Sequence, residues 1–238
     1  MDNNTLISQT LSTLKCVTTE RVRFKLPLTA SEVEAVMLEA YNNIVTQRGG
    51  TPTDGASTRA NIQSIARWLT DAKLRPSLLL RGGVGNGKTT TAKSIVATFE
   101  ALRLLAVQKL RNDRWQMTAD QDAVYTALSR LPALRIVSAV DAVALAKDED
   151  AFKQMRNSLV LIIDDLGTEP ATAKVYGTEQ TPIAEVINHR YEVMLTTIIT
   201  TNLNDEAIAK RYGERTIDRL CEMCERLTFT GASYRTKR

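Results

Sequence analysis

Two rhythms of apolar residues alternate along the chain. One has the period of a helix. Val33, Val36, Met37, Ala40 and Ile44 fall on one face behind Thr29-Ala30-Ser31-Glu32, which has the form of a capping box, and Ile62, Ile65 and Leu69 share a face over 60–69. Helical patterns recur over 89–102, 118–131, 141–155 and 183–194, the last behind Pro182, which suits a first helical turn. Two shorter helices fall around 205–212 and 215–224. The other rhythm is the short run without helical period. Leu78-Leu79-Leu80, Leu134-Arg135-Ile136-Val137, Leu159-Val160-Leu161-Ile162-Ile163, Thr196-Thr197-Ile198-Ile199-Thr200-Thr201 and 227–230 read as strands. Unbroken apolarity at 159–163 implies burial on both faces, as in a central strand of a parallel sheet. Strands alternating with helices predict an α/β fold.

Two stretches interrupt that alternation. Gln-Arg-Gly-Gly-Thr-Pro-Thr-Asp-Gly at 47–55 breaks the helical pattern and is the best linker candidate, dividing a helical prefix (1–56) from the main domain (57–238). The apolar face of the prefix either packs on its own domain or docks a partner. Further on, a simple α/β repeat would bring the next strand within about 6 residues of the helix end. Here 104–131 intervenes, with Lys109, Arg111, Arg114 and Trp115 before the helix at 118–131. That run is either a solvated helix face with a half-buried indole or a contact for single-stranded nucleic acid, by phosphate neutralisation and stacking.

Chemistry enters where the first strand ends. Gly82-Gly83-Val84-Gly85-Asn86-Gly87-Lys88-Thr89-Thr90 fits the phosphate-loop pattern G-x-x-x-x-G-K-[ST], between a strand and a helix. Glycines let successive N–H groups turn toward phosphate oxygens, and the following helix adds its positive end. Lys88 suits the β- and γ-phosphates of ATP, and Thr89 offers a hydroxyl to Mg²⁺. A glycine-rich turn with a stray lysine is the plain alternative, and the flanking strand and helix argue against it. The strand at 159–163 runs into Asp164-Asp165, which puts two carboxylates at the carboxyl edge of the sheet, where open α/β folds bind ligands. Asp164 is placed to hold Mg²⁺ through its water shell, and Asp165 to orient and deprotonate an attacking water. Asn202, ending the Thr-Thr-Ile-Ile-Thr-Thr strand, is placed to sense the γ-phosphate or hold that water.

Composition adjusts this picture little. At 43 % hydrophobic residues, 238 residues suffice for a sizeable core, and a net charge of +4 mildly favours a polyanionic partner. Cys16, Cys221 and Cys224 are few and odd in number, which suits a reducing compartment. With His189 the only histidine, Cys221-x-x-Cys224 lacks the four ligands of a closed zinc site, and it reads as two packing residues on one helix face. No apolar run has membrane-spanning length and the first residues lack a charged signal start, so a cytoplasmic protein is expected.

The phosphate loop, Leu161-Ile162-Ile163-Asp164-Asp165-Leu166-Gly167, Thr200-Thr201-Asn202-Leu203 and Tyr212-Gly213-Glu214-Arg215-Thr216-Ile217-Asp218-Arg219-Leu220 occur in that order. Together they resemble the AAA+ ATPases of the DnaC/DnaI helicase-loader family and its IstB transposition relatives, over about 60–235. The resemblance implies a three-layer P-loop NTPase with a five-stranded parallel sheet in the order 5-1-4-3-2. It implies that Asn202 is the first sensor, that Arg219 is an arginine finger for a neighbouring subunit's ATP, with Arg215 the weaker candidate, and that Arg235 is the second sensor. Arg190 matches a basic position often seen in these proteins. Many members of the superfamily carry Asp-Glu where this chain has Asp164-Asp165, and the shorter acid predicts slow turnover. The implied function is ATP-dependent loading of a replicative helicase onto single-stranded DNA by an ATP-dependent homo-oligomer. An IstB-like ATPase serving a transposase and a nucleotide-gated DNA-binding module with little hydrolysis are the alternatives, and a P-loop kinase fits less well because a sensor asparagine follows the strand at 196–201.

Overall fold

Five parallel strands form the central layer: β1 (Ser77–Gly82), β2 (Leu134–Ser138), β3 (Val160–Leu166), β4 (Thr196–Thr201) and β5 (Cys224–Phe229), in the spatial order β2-β3-β4-β1-β5. Taken from the opposite edge this is the expected order 5-1-4-3-2. The computed structural model describes residues 3–17, 25–52, 55–170, 173–175 and 178–231. Among them are ten α-helices: α1 (Asn3–Val17), α2 (Ala30–Gln47), α3 (Ala56–Thr70), α4 (Lys88–Asn112), α5 (Ala119–Ser129), α6 (Ala139–Leu145), α7 (Glu149–Arg156), α8 (Pro182–Glu192), α9 (Asp205–Tyr212) and α10 (Glu214–Met223). None of the described helices is long and apolar enough to cross a membrane.

Strand alternation sorts the core into two halves. Leu78 and Leu80, Val160 and Ile162, and Ile198 face one side, where they meet α2, α3, α4 and α5; Leu79, Leu161, Ile163 and Ile199 face the other, under α6 to α10. The central strands are therefore apolar on both faces, as their unbroken runs require.

The structure departs from the sequence expectations at several boundaries. Helix α4 continues through Asn112 instead of stopping at 102, because no Gly or Pro interrupts it and Leu102 and Ala106 stay buried, in a cluster that also takes in Leu128 of α5. The expected helix at 141–155 is two: Ser138 caps α6 through the Asp141 N–H, and Asp148 caps α7 through the Ala151 N–H. The polar loop after β3 holds a small antiparallel hairpin, Ala173–Val175 with Thr178–Gln180. Strand β5 opens at Cys224, so the two cysteines do not share a helix face. Cys221 ends on α10, while Cys224 is wholly buried as the first strand residue, and burial pushes its thiol up to about 12.

The core does not divide near residue 56. Thr29 and Glu32 form the expected capping box of α2, and Val33, Met37 and Tyr41 then enter the same apolar cluster as β1, α3 and α4. The Leu26 N–H also donates to the Leu69 carbonyl at 2.8 Å. Of the two readings of the prefix, α2 follows the first: its apolar face packs on its own domain.

Arg190 is no surface base. It lies fully buried in α8. Nε donates to Thr197 Oγ1 at 2.9 Å, Nη1 to the carbonyls of Arg156 and Ser158 at 2.7 Å each, and Nη2 to the Thr196 carbonyl at 2.5 Å. Burial pushes its pKa down to about 9, and these neutral acceptors, two at the start of β4 and two at the end of α7 and just after it, hold the charge. Arg190→Ala strands the acceptors and opens a void, so the expected loss of stability is about 3 kcal/mol, seen as a lower urea midpoint at unchanged slope. Arg190→Lys should recover only part of the loss, and an unchanged midpoint in the alanine variant would show that the guanidinium does not anchor β4.

Candidate active site

The loop after β1 is shaped by contacts that only certain residues allow. Gly82 has φ +150°, and a Cβ there would stand 2.4 Å from the Phe229 carbonyl oxygen, so a side chain cannot be accommodated. The Asn86 side chain donates to the same carbonyl at 2.8 Å, which ties the loop to the end of β5. Gly87, at φ +90°, turns the chain into α4. The loop is thereby fixed on the sheet before any ligand arrives.

Lys88 and Thr89 then reach the ends of the neighbouring strands. The Lys88 ammonium donates to the Gly82 and Gly83 carbonyls at 2.8 Å each, to Asn86 Oδ1 at 3.1 Å and to Asn202 Oδ1 at 2.7 Å. The Thr89 hydroxyl donates to Asp164 Oδ1 at 3.0 Å. Magnesium prefers octahedral oxygens at about 2.1 Å, which sets neighbouring ligands about 3 Å apart. Thr89 offers one such oxygen, and Asp164 Oδ1, 3.0 Å from it, is within reach of the water shell of an ion held there.

Asp164 and Asp165 sit on a bulge. Ile163 pairs with Ile199 and Leu166 with Thr201, so β3 carries one residue more than β4 across this interval. Asp165 takes the extra turn in the left-handed region, φ +57°. Thr200, fully buried on β4, secures the distortion: its hydroxyl accepts the Asp165 N–H at 2.8 Å and donates to Asp164 Oδ1 at 2.6 Å. Both acids are thus delivered to one edge of the sheet.

A cavity of about 1080 Å³ opens over this edge. Residues 84–90, Asp165, Thr168 and Asn202 form one wall. The facing wall comes from the far end of α2 and the turn after it: Tyr41, Val45, Arg48 and 49–51. The expected linker is therefore part of the site.

Not every expected residue gathers here. Arg219 stands outside the cavity on α10, where it donates to Glu192 Oε1 at 2.8 Å and lies 4.9 Å from the centroid of the Tyr191 ring. Arg215, with its side chain 73 % exposed, approaches the same carboxylate at 3.5 Å. Arg235 lies outside the described residues. Conversely, three side chains that sequence reasoning passed over matter here. Thr200 and Arg48 are two. The third is Glu169, almost wholly buried, which accepts the Gly167 N–H at 2.9 Å and the Tyr212 hydroxyl and so ties the loop after β3 to α9. Burial, with Glu169 beside it, raises the Tyr212 pKa well above the ordinary phenol value.

No protein-family model and no curated protein matches the sequence. Solved structures do. The crystal structure of the DnaC helicase loader aligns with a TM-score of 0.53 at 21 % identity, covering 75 % of this chain and 93 % of that one. That of DnaI aligns with a TM-score of 0.52 at 14 % identity, covering 88 % and 95 %. The chain has the fold of DnaC and DnaI. At such identities the shared property is the fold, and it agrees with the sheet order that the motif resemblance implied. Within this fold the phosphate loop, the Asp164-Asp165 bulge and Asn202 all lie at the carboxyl edge of adjacent strands.

Thr200→Val keeps the shape of the side chain and removes its hydroxyl, taking the Thr200 acceptor from the half-buried Asp165 N–H and a donor from Asp164. The expected cost is about 1–3 kcal/mol in urea unfolding, with Thr200→Ser near wild type. A valine variant as stable as wild type would show that the bulge is held by something else.

Proposed function

We propose that this protein is a cytoplasmic, ATP-dependent DNA replication protein that loads a replicative helicase onto single-stranded DNA and hydrolyses ATP between subunits. The observation that carries the reading is the pair of adjoining hydrogen-bonded groups at the start of α4, Lys88 with Asn202 and Thr89 with Asp164 and Thr200, beside a cavity large enough for a nucleotide. Two strand ends, those of β3 and β4, and one helix start contribute to them, and phosphoryl transfer asks for that placement of a cation, a hydroxyl and a carboxylate.

In this reading the amides of 83–89 cradle the phosphates and Lys88 neutralises the β- and γ-groups. Thr89 and Asp164 would hold Mg²⁺, which would supply further charge neutralisation there. Asp165 orients a water against the γ-phosphorus and takes its proton, the bond from that phosphorus to the β-bridging oxygen breaks, and ADP and phosphate result. Asn202, bonded to Lys88, fixes the water or the phosphate. Arg219, held outside its own chain's cavity, serves the ATP of a neighbouring subunit.

The insertion gives the DNA contact. Lys109 pairs with Asp113 and Arg114 with Asp122, whereas Arg111 is exposed and the Trp115 indole is 82 % exposed. An exposed indole among bases of positive charge suits stacking on single-stranded DNA.

Steady-state ATP hydrolysis with and without single-stranded DNA is the primary test, and a folded wild-type protein that binds no ATP would end the proposal. Lys88→Ala should abolish binding. Asp165→Asn should bind ATP and lose turnover by on the order of 100-fold, with loading blocked; loading that survives would instead favour a nucleotide-gated module. Arg219→Ala should be equally slow alone, yet mixing it with Asp165→Asn should restore turnover, because each chain then supplies what the other lacks. Trp115→Ala should weaken single-stranded DNA about tenfold and leave DNA-free turnover unchanged. Co-purification from a host lysate identifies the partner, and a transposase in place of a helicase would replace the loader by the IstB-like alternative.

A further inference from the structure

The proposed chemistry accounts for one wall of the cavity and leaves Arg48 on the other without a role. Arg48 is the residue that closes α2, and its Nη1 donates to Thr90 Oγ1 at 3.1 Å across the cavity. Its partner among the described residues is a neutral hydroxyl rather than a carboxylate. In the reading above, Lys88, Thr89, Asp165 and Asn202 fix the γ-phosphate end of a nucleotide. The remainder then runs along the first turn of α4, past Thr90, toward 45–51. Arg48 lines the cavity beside Thr90, on that course.

We infer that Arg48 is a nucleotide-binding residue acting within its own chain, its guanidinium reaching the α-phosphate of ATP or ADP from α2 while Lys88 serves the β- and γ-phosphates from α4. The inference rests on the nucleotide reading above and adds to it a second cation, drawn from the stretch that the sequence presents as a prefix. A planar guanidinium fork suits a phosphate better than a point charge does, and one Thr90 hydroxyl is a weak partner that a phosphate oxygen readily supplements. The location also sets which nucleotides feel it. An α-phosphate contact is common to ATP and ADP, whereas a γ-phosphate contact belongs to ATP alone.

The experiment is titration calorimetry of the full chain with ATP and with ADP, both with Mg²⁺, for wild type, Arg48→Ala, Arg48→Gln and Arg48→Lys, alongside thermal melting of each protein without nucleotide. The expected result is a loss of about tenfold in affinity for ATP and ADP alike in the Ala and Gln variants, partial recovery in the Lys variant, and unchanged nucleotide-free melting in the Gln variant. Affinities unchanged in the Ala and Gln variants overturn the inference. So does a loss confined to ATP, which would put the guanidinium at the γ-phosphate. If Arg48→Ala melts early, Arg48→Gln decides, and a Gln variant that melts early with wild-type affinities assigns Arg48 to helix capping alone. Wild-type protein that binds neither nucleotide defeats the function proposed above; wild-type binding matched by the Arg48 variants defeats only this inference.

Discussion

A single buried hydroxyl, that of Thr200, holds the carboxyl edge of the sheet in a shape that regular strands would not give it. In an unbroken strand Asp164 and Asp165 would point to opposite faces. The bulge inserts a residue, and Asp165 adopts a left-handed backbone that costs on the order of 1 kcal/mol for a non-glycine residue. Thr200 offsets that cost by accepting the freed N–H and, through the same oxygen, donating to Asp164. Asp164 in turn accepts from Thr89 at the start of α4. Strand β4, strand β3 and the phosphate loop thus meet in one chain of hydrogen bonds, and the strain sits where the proposed chemistry needs two acids side by side.

That chain explains why β4 has the composition it has. All six positions of β4 are buried, yet four of them are threonine. A buried hydroxyl without a partner costs about 1–3 kcal/mol, and neighbours meet three of the four, Thr196 Oγ1 alone finding none among the described residues. Thr197 accepts from Arg190, Thr200 serves the bulge, and Thr201 donates to the Leu166 carbonyl at 2.7 Å. Arg190 at one end of the strand and Asp164 near the other are held by the same kind of residue, a β-branched side chain that suits a strand and still carries an oxygen.

Much of this was legible in the sequence because it is local. A phosphate loop needs consecutive residues, buried strands need apolar runs, and the capping box of α2 needs residues three apart. The sheet order came from the motif resemblance. What the sequence hid was set by register and tertiary contact. Thr200 satisfies strand propensity alone, and only the pairing of β4 with β3 reveals its hydroxyl as a post. Arg190 reads as a basic helix residue until the start of β4 is packed over it. The stretch at 47–55 has the composition of a linker, yet 48–51 line the cavity with the phosphate loop. The split between α6 and α7 was signalled by Ser138 and Asp148, but cap residues are ambiguous inside a long periodic pattern.

Arg219 shows how a residue proposed to act on a neighbour can be readied inside its own chain. An arginine side chain carries about 2 kcal/mol of rotamer entropy, which a mobile finger would forfeit at each encounter. Here that entropy is already spent: the guanidinium lies against the Tyr191 ring and its side chain is only 9 % exposed. The counter-charge that keeps it there, Glu192, is 57 % exposed, so water screens the pair and its net worth is within about 1 kcal/mol. Packing therefore orders the side chain, while the ion pair adds little that a phosphate would have to displace. A deeply buried carboxylate in the same place would have held the cation against any competing anion. The balance found on α8 and α10, an aromatic face for order and a solvated acid for weak restraint, suits a charge that must be stiff and yet transferable.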